Sequence, residues 1–160
     1  MAFISGVDRI LEIKTEGVWI PIGCLTGNSF SESSEMLGTT TRDNTNGWTS
    51  SVPTNQSYTI QFEALLTNEY TSTTRVTYYQ MKLYKRNKDL IDWRVDDGLG
   101  DYDYGKAYIS DLGDANNVDE FVSFSGTLQG YGLVSNDEVD RLLLESGHFV
   151  LLETDDKIIL

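Results

Sequence analysis

The sequence predicts a mainly β domain with one helix, and three observations support this prediction. Aromatic residues are abundant, with nine Tyr, three Trp and six Phe, whereas alanine occurs only four times. Aromatic and β-branched residues are enriched in strands. Several segments alternate strictly between apolar and polar residues, which is typical of strands with one buried face. The 14 glycines are spread between these segments, where they favour turns.

The N-terminal part predicts a hairpin. Residues 9–14 and 18–22 form two strand-like segments, and Thr15-Glu16-Gly17 supplies the turn between them. Pro21 cannot donate a hydrogen bond to a sheet, so we expect the second strand to lie at an edge or a bulge. Cys24 follows this apolar segment and is expected to be a small buried residue rather than a reactive thiol.

A long polar stretch and a clear strand follow. Residues 31–53 are rich in Ser, Thr, Asn and Gly, and they contain Met36, Leu37 and Trp48, which a flexible linker does not need. Because unstructured loops of about 20 residues are uncommon in compact domains, this stretch indicates either a functional or a disordered segment. The next strand has an apolar face of Tyr58, Ile60, Phe62 and Ala64 and a polar face of Thr59, Gln61 and Glu63.

One helix is predicted at residues 74–87. Val76, Tyr79 and Leu83 recur at helical spacing, and residues 71–74 offer an N-cap. Four cations crowd the C-terminal end, where they oppose the negative end of the helix dipole. They are Lys82, Lys85, Arg86 and Lys88. These cations form either a solvated helix end or a positive patch that meets an acidic surface of another copy.

The second half of the chain predicts strands at 91–95, 106–110 and 120–129. In the last of these strands, the polar face consists of Ser123, Ser125, Thr127 and Gln129. The glycines Gly126, Gly130 and Gly132 indicate bulges or close approach of another part of the chain.

The C-terminal residues contain a short repeat with a period of eight. Its apolar segments begin at Leu142, Val150 and Ile158, and polar turns lie between them. This pattern predicts a small β-meander. A helix that begins at the capping box of Ser135 and Glu138 is the alternative.

The charge balance excludes several classes of function. The chain has 12 Lys and Arg against 25 Asp and Glu, a formal net charge of -13. Nucleic-acid affinity depends on cations that displace counterions, so a DNA- or RNA-binding module is disfavoured, as is a domain on anionic lipid. No apolar run approaches the roughly 20 residues of a membrane helix, and the N-terminus does not resemble a signal peptide. We expect a soluble protein made in a reducing compartment.

Residues for catalysis or metal binding are scarce. A nucleophile–histidine centre would depend on His148, the only histidine, and the single cysteine cannot build a thiolate cluster. The acidic segment 96–105 lacks the complete ligand pattern of an EF-hand, which favours a solvated turn over a calcium site. Only sequence spacing supports Asp101 and Asp103 as a glycosidase pair. We predict that the chain is not an enzyme and uses no cofactor or metal.

Several segments together carry a family resemblance. In chain order they are the hairpin 8–23, Ser29-Phe30-Ser31, Thr39-Thr40-Thr41-Arg42-Asp43 with Gly47-Trp48 and Pro53, and residues 57–65, 105–112 and 121–132. This order, over residues 8–134, resembles the tail-tube (major tail) proteins of long-tailed bacteriophages. The threonine-rich loop before an alternating strand is the strongest part. Family members often have Pro-Gly after the tryptophan, whereas here Pro53 precedes Thr54.

The resemblance implies two packed antiparallel sheets, in a β-sandwich or barrel-like fold with one flanking helix and a long extended loop. It implies a tail-tube domain at residues 1–134, and the eight-residue repeat predicts that 135–160 is a β-rich C-terminal extension of the same domain. Copies would form hexameric rings that stack into a tube for DNA ejection, in a virion tail assembled in the host cytoplasm. The implied partners are further copies and the tape-measure, tail-tip and terminator proteins, while DNA passes without specific binding.

Two sets of residues receive roles from this resemblance. The loop at 37–52 would reach between subunits and rings, through Leu37, Thr41, Arg42, Asp43 and Trp48. The candidates for the wall of the lumen are Thr59, Gln61, Glu63, Ser123, Ser125, Thr127 and Gln129. Because duplex DNA carries one charge per about 1.7 Å, a wall lined with cations would trap it, and an acidic subunit avoids this.

A carbohydrate-binding β-sandwich is the alternative function. Amphipathic aromatic rings suit either a protein interface or a sugar platform. The tyrosines expected to be exposed for either role are Tyr78, Tyr84, Tyr102 and Tyr104.

Overall fold

A computed structural model describes residue 6 and residues 9–38 and 50–136. The elements are β1 (Leu11–Thr15), β2 (Val18–Pro21), β3 (Leu25–Gly38), β4 (Ser51–Leu65), α1 (Tyr78–Asn87), β5 (Ile91–Asp96), β6 (Tyr102–Ala115) and β7 (Ser123–Ser135). The seven strands form one antiparallel sheet in the order β2-β1-β5-β6-β7-β4-β3. The predicted mainly β fold with one helix is confirmed. Within the described residues, no helix has the length and apolarity to cross a bilayer.

The single sheet folds over on itself. Tyr58 on β4 and Trp93 on β5 are three strands apart in the sheet, which places them about 14 Å apart if the sheet is flat. Their ring centroids are instead 5.5 Å apart. Phe30, on the edge strand β3, also lies 5.7 Å from the Trp93 ring. The two layers predicted for the fold are therefore the two halves of one hydrogen-bonded sheet, which pack face to face.

Tyr58 and Trp93 form the centre of the core. The Trp93 side chain is completely buried, and its Nε1 donates a hydrogen bond to the Tyr58 hydroxyl at 3.2 Å. The same hydroxyl donates to the Lys106 carbonyl on β6. A Cβ at Gly130 would lie 2.4 Å from the Tyr58 ring, and one at Gly126 would lie 2.6 Å from the Phe62 ring. The close approach predicted from these glycines is confirmed.

The helix begins later than its sequence pattern indicates. Thr77 is the N-cap, and it forms a capping box with Gln80. The prediction of a start at residue 74 is wrong because Val76 is extended and makes a parallel bridge with Ile22. The Val76 N–H donates to the Pro21 carbonyl at 2.8 Å. The predicted end at residue 87 is confirmed.

The first hairpin follows the prediction closely. β2 is an edge strand of the sheet and contains Pro21, as expected. Cys24 is a correction, because it is exposed and has a φ of 53° in the turn that leads to β3. The turn directs Cys24 away from the core, although Ile22, two residues earlier, is buried.

Candidate assembly surfaces

Six of the seven residues predicted to face a lumen lie directly opposite one another on β4 and β7. The register pairs Thr59 with Gln129, Gln61 with Thr127, and Glu63 with Ser125. Ser123, the seventh, lies opposite Leu65 at the end of the same ladder. Residues directly opposite on antiparallel strands share a face of the sheet. The structure thus joins two polar patterns, some 60 positions apart in the chain, into one surface.

This surface continues onto both neighbouring strands. On β3, Ser29 lies opposite Gln61 and Ser31 lies opposite Thr59, and on β6, Asp111 lies opposite Thr127. We call the combined surface the polar face, which consists of Ser29, Ser31, Thr59, Gln61, Glu63, Asp111, Ser123, Ser125, Thr127 and Gln129. The β3 and β6 members were not among the predicted residues. The alternation of serines at positions 29, 31 and 33 is a pattern that predicts the β3 row.

The charges of the polar face are all negative. Its two ionisable members are Glu63 and Asp111, and it contains no Lys or Arg among the residues that define it. Lys85 on α1 reaches Asp111 from the side, with 3.9 Å between Nζ and Oδ1. Such a surface offers hydroxyl and amide groups but, among its defining residues, no array of the cations that attract a phosphate backbone.

The four strands that carry the polar face, β3, β4, β7 and β6, have an unpaired outer side along β3 and along the second part of β6 within the described residues. β3 pairs with β4 on one side, and no strand of the described residues pairs with its other side. β5 leaves β6 at Ala107, so β6 pairs only with β7 beyond that residue in the described part of the chain. α1 lies beside this part of β6, where the Tyr78 hydroxyl donates to the Asp114 carboxylate at 2.9 Å. Open edges offer unpaired N–H and C=O groups to another chain.

β3 and β4 continue beyond the core as a two-stranded ribbon. We call residues 31–38 and 51–57 the arm; every side chain in it is exposed. Both ends of the loop predicted at 37–52 belong to this ribbon, because Leu37 pairs with Val52 and Gly38 with Ser51. Across the ribbon, Thr54 Oγ1 donates to the Glu35 carbonyl at 3.1 Å.

The arm carries apolar side chains into solvent. Met36, Leu37 and Val52 are about half exposed or more. A two-stranded ribbon without a packed face is marginally stable by itself in water. Of the predicted contact residues, Leu37 lies on the arm, whereas Thr41, Arg42, Asp43 and Trp48 lie outside the described residues.

The acidic segment 96–105 uses its carboxylates to shape a turn. Asp97 accepts hydrogen bonds from the backbone N–H groups of Leu99 at 2.7 Å and Asp101 at 3.1 Å. The bond from Leu99 is the main reason that the pKa of Asp97 lies below its usual value. The Asn136 side chain bridges Asp97 and Asp103. No cluster of three or more metal-ligating side chains occurs in the described part of the chain.

The four tyrosines suggested for a sugar platform have different surroundings. Tyr78 is buried against Phe124, and burial together with the Asp114 carboxylate raises its pKa. The Tyr84 hydroxyl lies 3.3 Å from Thr15 Oγ1, and the Arg94 guanidinium lies over the Tyr102 ring. The expectation that all four tyrosines are exposed is therefore wrong for Tyr78, which packs in the core.

The helix cations have separate surroundings rather than one common patch. Lys82 lies over the Tyr78 ring, and Lys85 lies near Asp111. Lys88 is the C-cap in the left-handed conformation, with its N–H directed to the carbonyls of Lys85 and Tyr84. These positions favour a solvated helix end.

Comparisons with known proteins agree with this architecture. A family model described as phage tail tube protein matches residues 3–136. The tail of an empty gene transfer agent particle with C6 symmetry is similar in structure, with a TM-score of 0.71 and 15% identity over 82% of this chain and 96% of that chain. The SPP1 tail tube has a TM-score of 0.63 and 15% identity over 96% and 91% of the two chains.

A more distant likeness is to a chain of the anti-feeding prophage baseplate, with a TM-score of 0.59 and 10% identity over 85% of this chain and 95% of that chain. No curated protein matches the chain in sequence. At these identities the solved structures establish a shared fold, and the family model, which covers most of the chain, establishes a family.

Proposed function

The chain belongs to the phage tail tube protein family, and from this premise we propose that six copies close into a ring and that rings stack into a tube for DNA. The family is structural rather than enzymatic, so the chain is a structural component of a virion tail. The single observation that carries the proposal is the polar face on a sheet with open edges. The sixfold number is taken from the symmetry of the gene transfer agent tail.

Ring closure follows from the edges of the sheet. β3 offers a long open edge, and the second part of β6 lies at the opposite side of the four strands that carry the polar face. When the β3 edge of one copy joins the β6 side of the next, the polar faces become continuous around the ring. Pairing of the two edges gives hydrogen-bond partners to backbone N–H and C=O groups that bond to water in a single copy.

The polar face then lines the channel. Its hydroxyl, amide and carboxylate groups stay hydrated, and the absence of cations among its defining residues lets duplex DNA pass without being held. The opposite side of the same strands supplies the core, so the orientation of this face is determined by Tyr58, Ile60 and Phe62.

The arm joins copies to each other. Its exposed Met36, Leu37 and Val52 are buried when the arm lies against a neighbouring subunit or ring. Thr41, Arg42, Asp43 and Trp48, which lie between the two arm strands in the sequence, are further proposed contact residues. In this proposal the tape-measure protein lies in the lumen, and the tail-tip and terminator proteins bind the ends of the tube. Assembly takes place in the host cytoplasm.

Electron microscopy tests the assembly. Purified full chain, concentrated and imaged in negative stain, is expected to form rings or tubes of uniform width with a central channel and six-fold class averages. Assemblies of another symmetry, particles without a channel, or a chain that stays monomeric at every concentration would contradict self-assembly into this tube.

A charge reversal tests which surface lines the channel. Glu63→Lys is expected to leave tubes intact and to make them bind DNA in their interior, because each ring gains several cations in one place. Glu16→Lys, in the exposed turn between β1 and β2, is the matched control and should not retain DNA in the channel. If Glu63→Lys tubes bind DNA only on the outside, the polar face is not the lumen wall.

A further inference from the structure

An apolar groove lies on β1, β2, β5, the first part of β6 and the last part of β7, beyond the polar face on the last two strands. It is lined by Trp19, Tyr104, Tyr131, Leu133, Lys14 and Lys106 and has a volume of about 700 Å³. Tyr131 is 57% exposed and Leu133 is 68% exposed. Grouped apolar side chains on an outer sheet face are typical of a surface that another segment covers.

The chain leaves the described domain at this groove. Ser135 is itself part of the groove wall, and Asn136 follows it. Asn136 is buried, and its Nδ2 donates to Asp103 Oδ1 at 2.9 Å and to Asp97 Oδ2 at 3.3 Å. The starting point of the following residues is therefore held at one end of the groove.

The residues beyond this point complement the groove in composition. The 24 residues at 137–160 contain apolar runs at 142–144, 149–152 and 158–160. They have seven acidic and two basic residues, a net charge of -5, whereas the groove wall contains two basic residues, Lys14 and Lys106, and one acidic residue, Asp92. The family match ends at residue 136, so this segment lies outside the part of the chain that the family model describes.

We propose that the groove binds the C-terminal segment of its own chain, with the apolar run at 142–144 packed against Trp19, Tyr131 and Leu133. Residue 142 is six residues beyond Asn136, and an extended chain of that length spans up to about 20 Å. A tethered segment also has a high effective concentration at a site next to its attachment point. Lys106 lies 3.9 Å from Asp92 in the same wall, so Lys14 is the cation that faces the acidic residues near the run. This proposal concerns a single copy and does not depend on tube formation.

Photo-crosslinking in the full chain identifies what the groove holds. Leu133 is replaced by p-benzoylphenylalanine, and the dilute protein is irradiated and digested with trypsin. Cleavage after Arg141 and Lys157 releases residues 142–157 as one peptide. We expect this peptide to be crosslinked to position 133 within one chain. The same crosslinker at Phe121, which is 86% exposed on the β6–β7 connection, is the control and should not capture it.

Two further variants locate the contact. Leu142→Ser combined with Leu143→Ser and Leu144→Ser should abolish the crosslink, whereas Ile158→Ser combined with Ile159→Ser and Leu160→Ser should retain it. Unchanged circular dichroism confirms that each variant is folded. A crosslink to a second copy, a crosslink only to other peptides, no crosslink at position 133, or a crosslink that survives the 142–144 substitutions would each overturn the proposal.

Discussion

The two ends of the β3–β4 ribbon have opposite surroundings although they belong to the same pair of strands. At one end, Tyr58, Ile60, Phe62 and Ala64 are buried under the other half of the sheet. At the other end, the arm has the same antiparallel register, but no part of the chain that the structure describes packs on either of its faces. The difference shows that hydrogen-bond pairing and burial contribute separately to stability. Only the end with Tyr58, Ile60, Phe62 and Ala64, the core end, is stabilised by packing within one subunit.

The largest loss of stability is expected at the core end. Phe62→Ala removes a ring that is 3% exposed and packs edge-on against Phe124 at 6.1 Å. The free energy of unfolding should fall by about 3–5 kcal/mol, because the cavity adds to the lost burial. Urea denaturation measures the change, with the fully exposed Val118→Ala as the control. A loss below about 1 kcal/mol would mean that this end is not packed as described.

Overpacking at the core end is expected to lower the free energy of unfolding by less than the cavity of Phe62→Ala does. Gly130→Ala places a Cβ 2.4 Å from the Tyr58 ring, which has to shift and disturb its hydrogen bonds. We expect a loss of about 1–3 kcal/mol in the same assay. Gly27→Ala on β3 is the matched control, because its Cβ meets nothing within 4 Å. Equal stability of the two variants would contradict the close approach at Gly130.

Stability is expected to depend on pH through Tyr78, where α1 packs beside the core end. Burial, followed by the Asp114 carboxylate, raises the pKa of Tyr78 above 10.0, its usual value. The unfolded chain therefore loses this proton first, so stability falls as pH rises from about 10 through the raised pKa. Tyr78→Phe should make the decline of the urea midpoint over this range shallower. An unchanged decline would show that Tyr78 ionises as it does in the unfolded chain.

The smallest change in stability is expected on the arm, together with a complete loss of assembly. Leu37→Glu alters an exposed side chain, so the free energy of unfolding should change by less than about 0.5 kcal/mol. The charge would, however, be buried without a partner wherever the arm contacts another copy. Negative-stain images should show monomers for Leu37→Glu and tubes for Leu99→Glu, a control in an exposed turn. Normal tubes from both variants would show that the arm is not part of the assembly interface.

Local patterns were sufficient for much of the fold. The alternation at 58–64 predicted both the strand and its buried face, and the first hairpin followed from its turn and from Pro21. The helix start was wrong because Val76 pairs with Ile22, more than 50 residues away, and that pairing overrides the local N-cap pattern. Cys24 was wrong for a related reason, since the turn after Ile22 directs it outward.

The sequence by itself determined the element types, the polar and apolar faces of β4 and β7, the acidic charge and the resemblance to tail-tube proteins. These features depend on residue type and on spacing within one segment. Only the tertiary structure decided that the two polar faces join, that the sheet closes over Trp93, and that an apolar groove opens where the chain leaves at Asn136. Each of these depends on strand order and on contacts between distant residues, and periodicity within a segment carries no information about either.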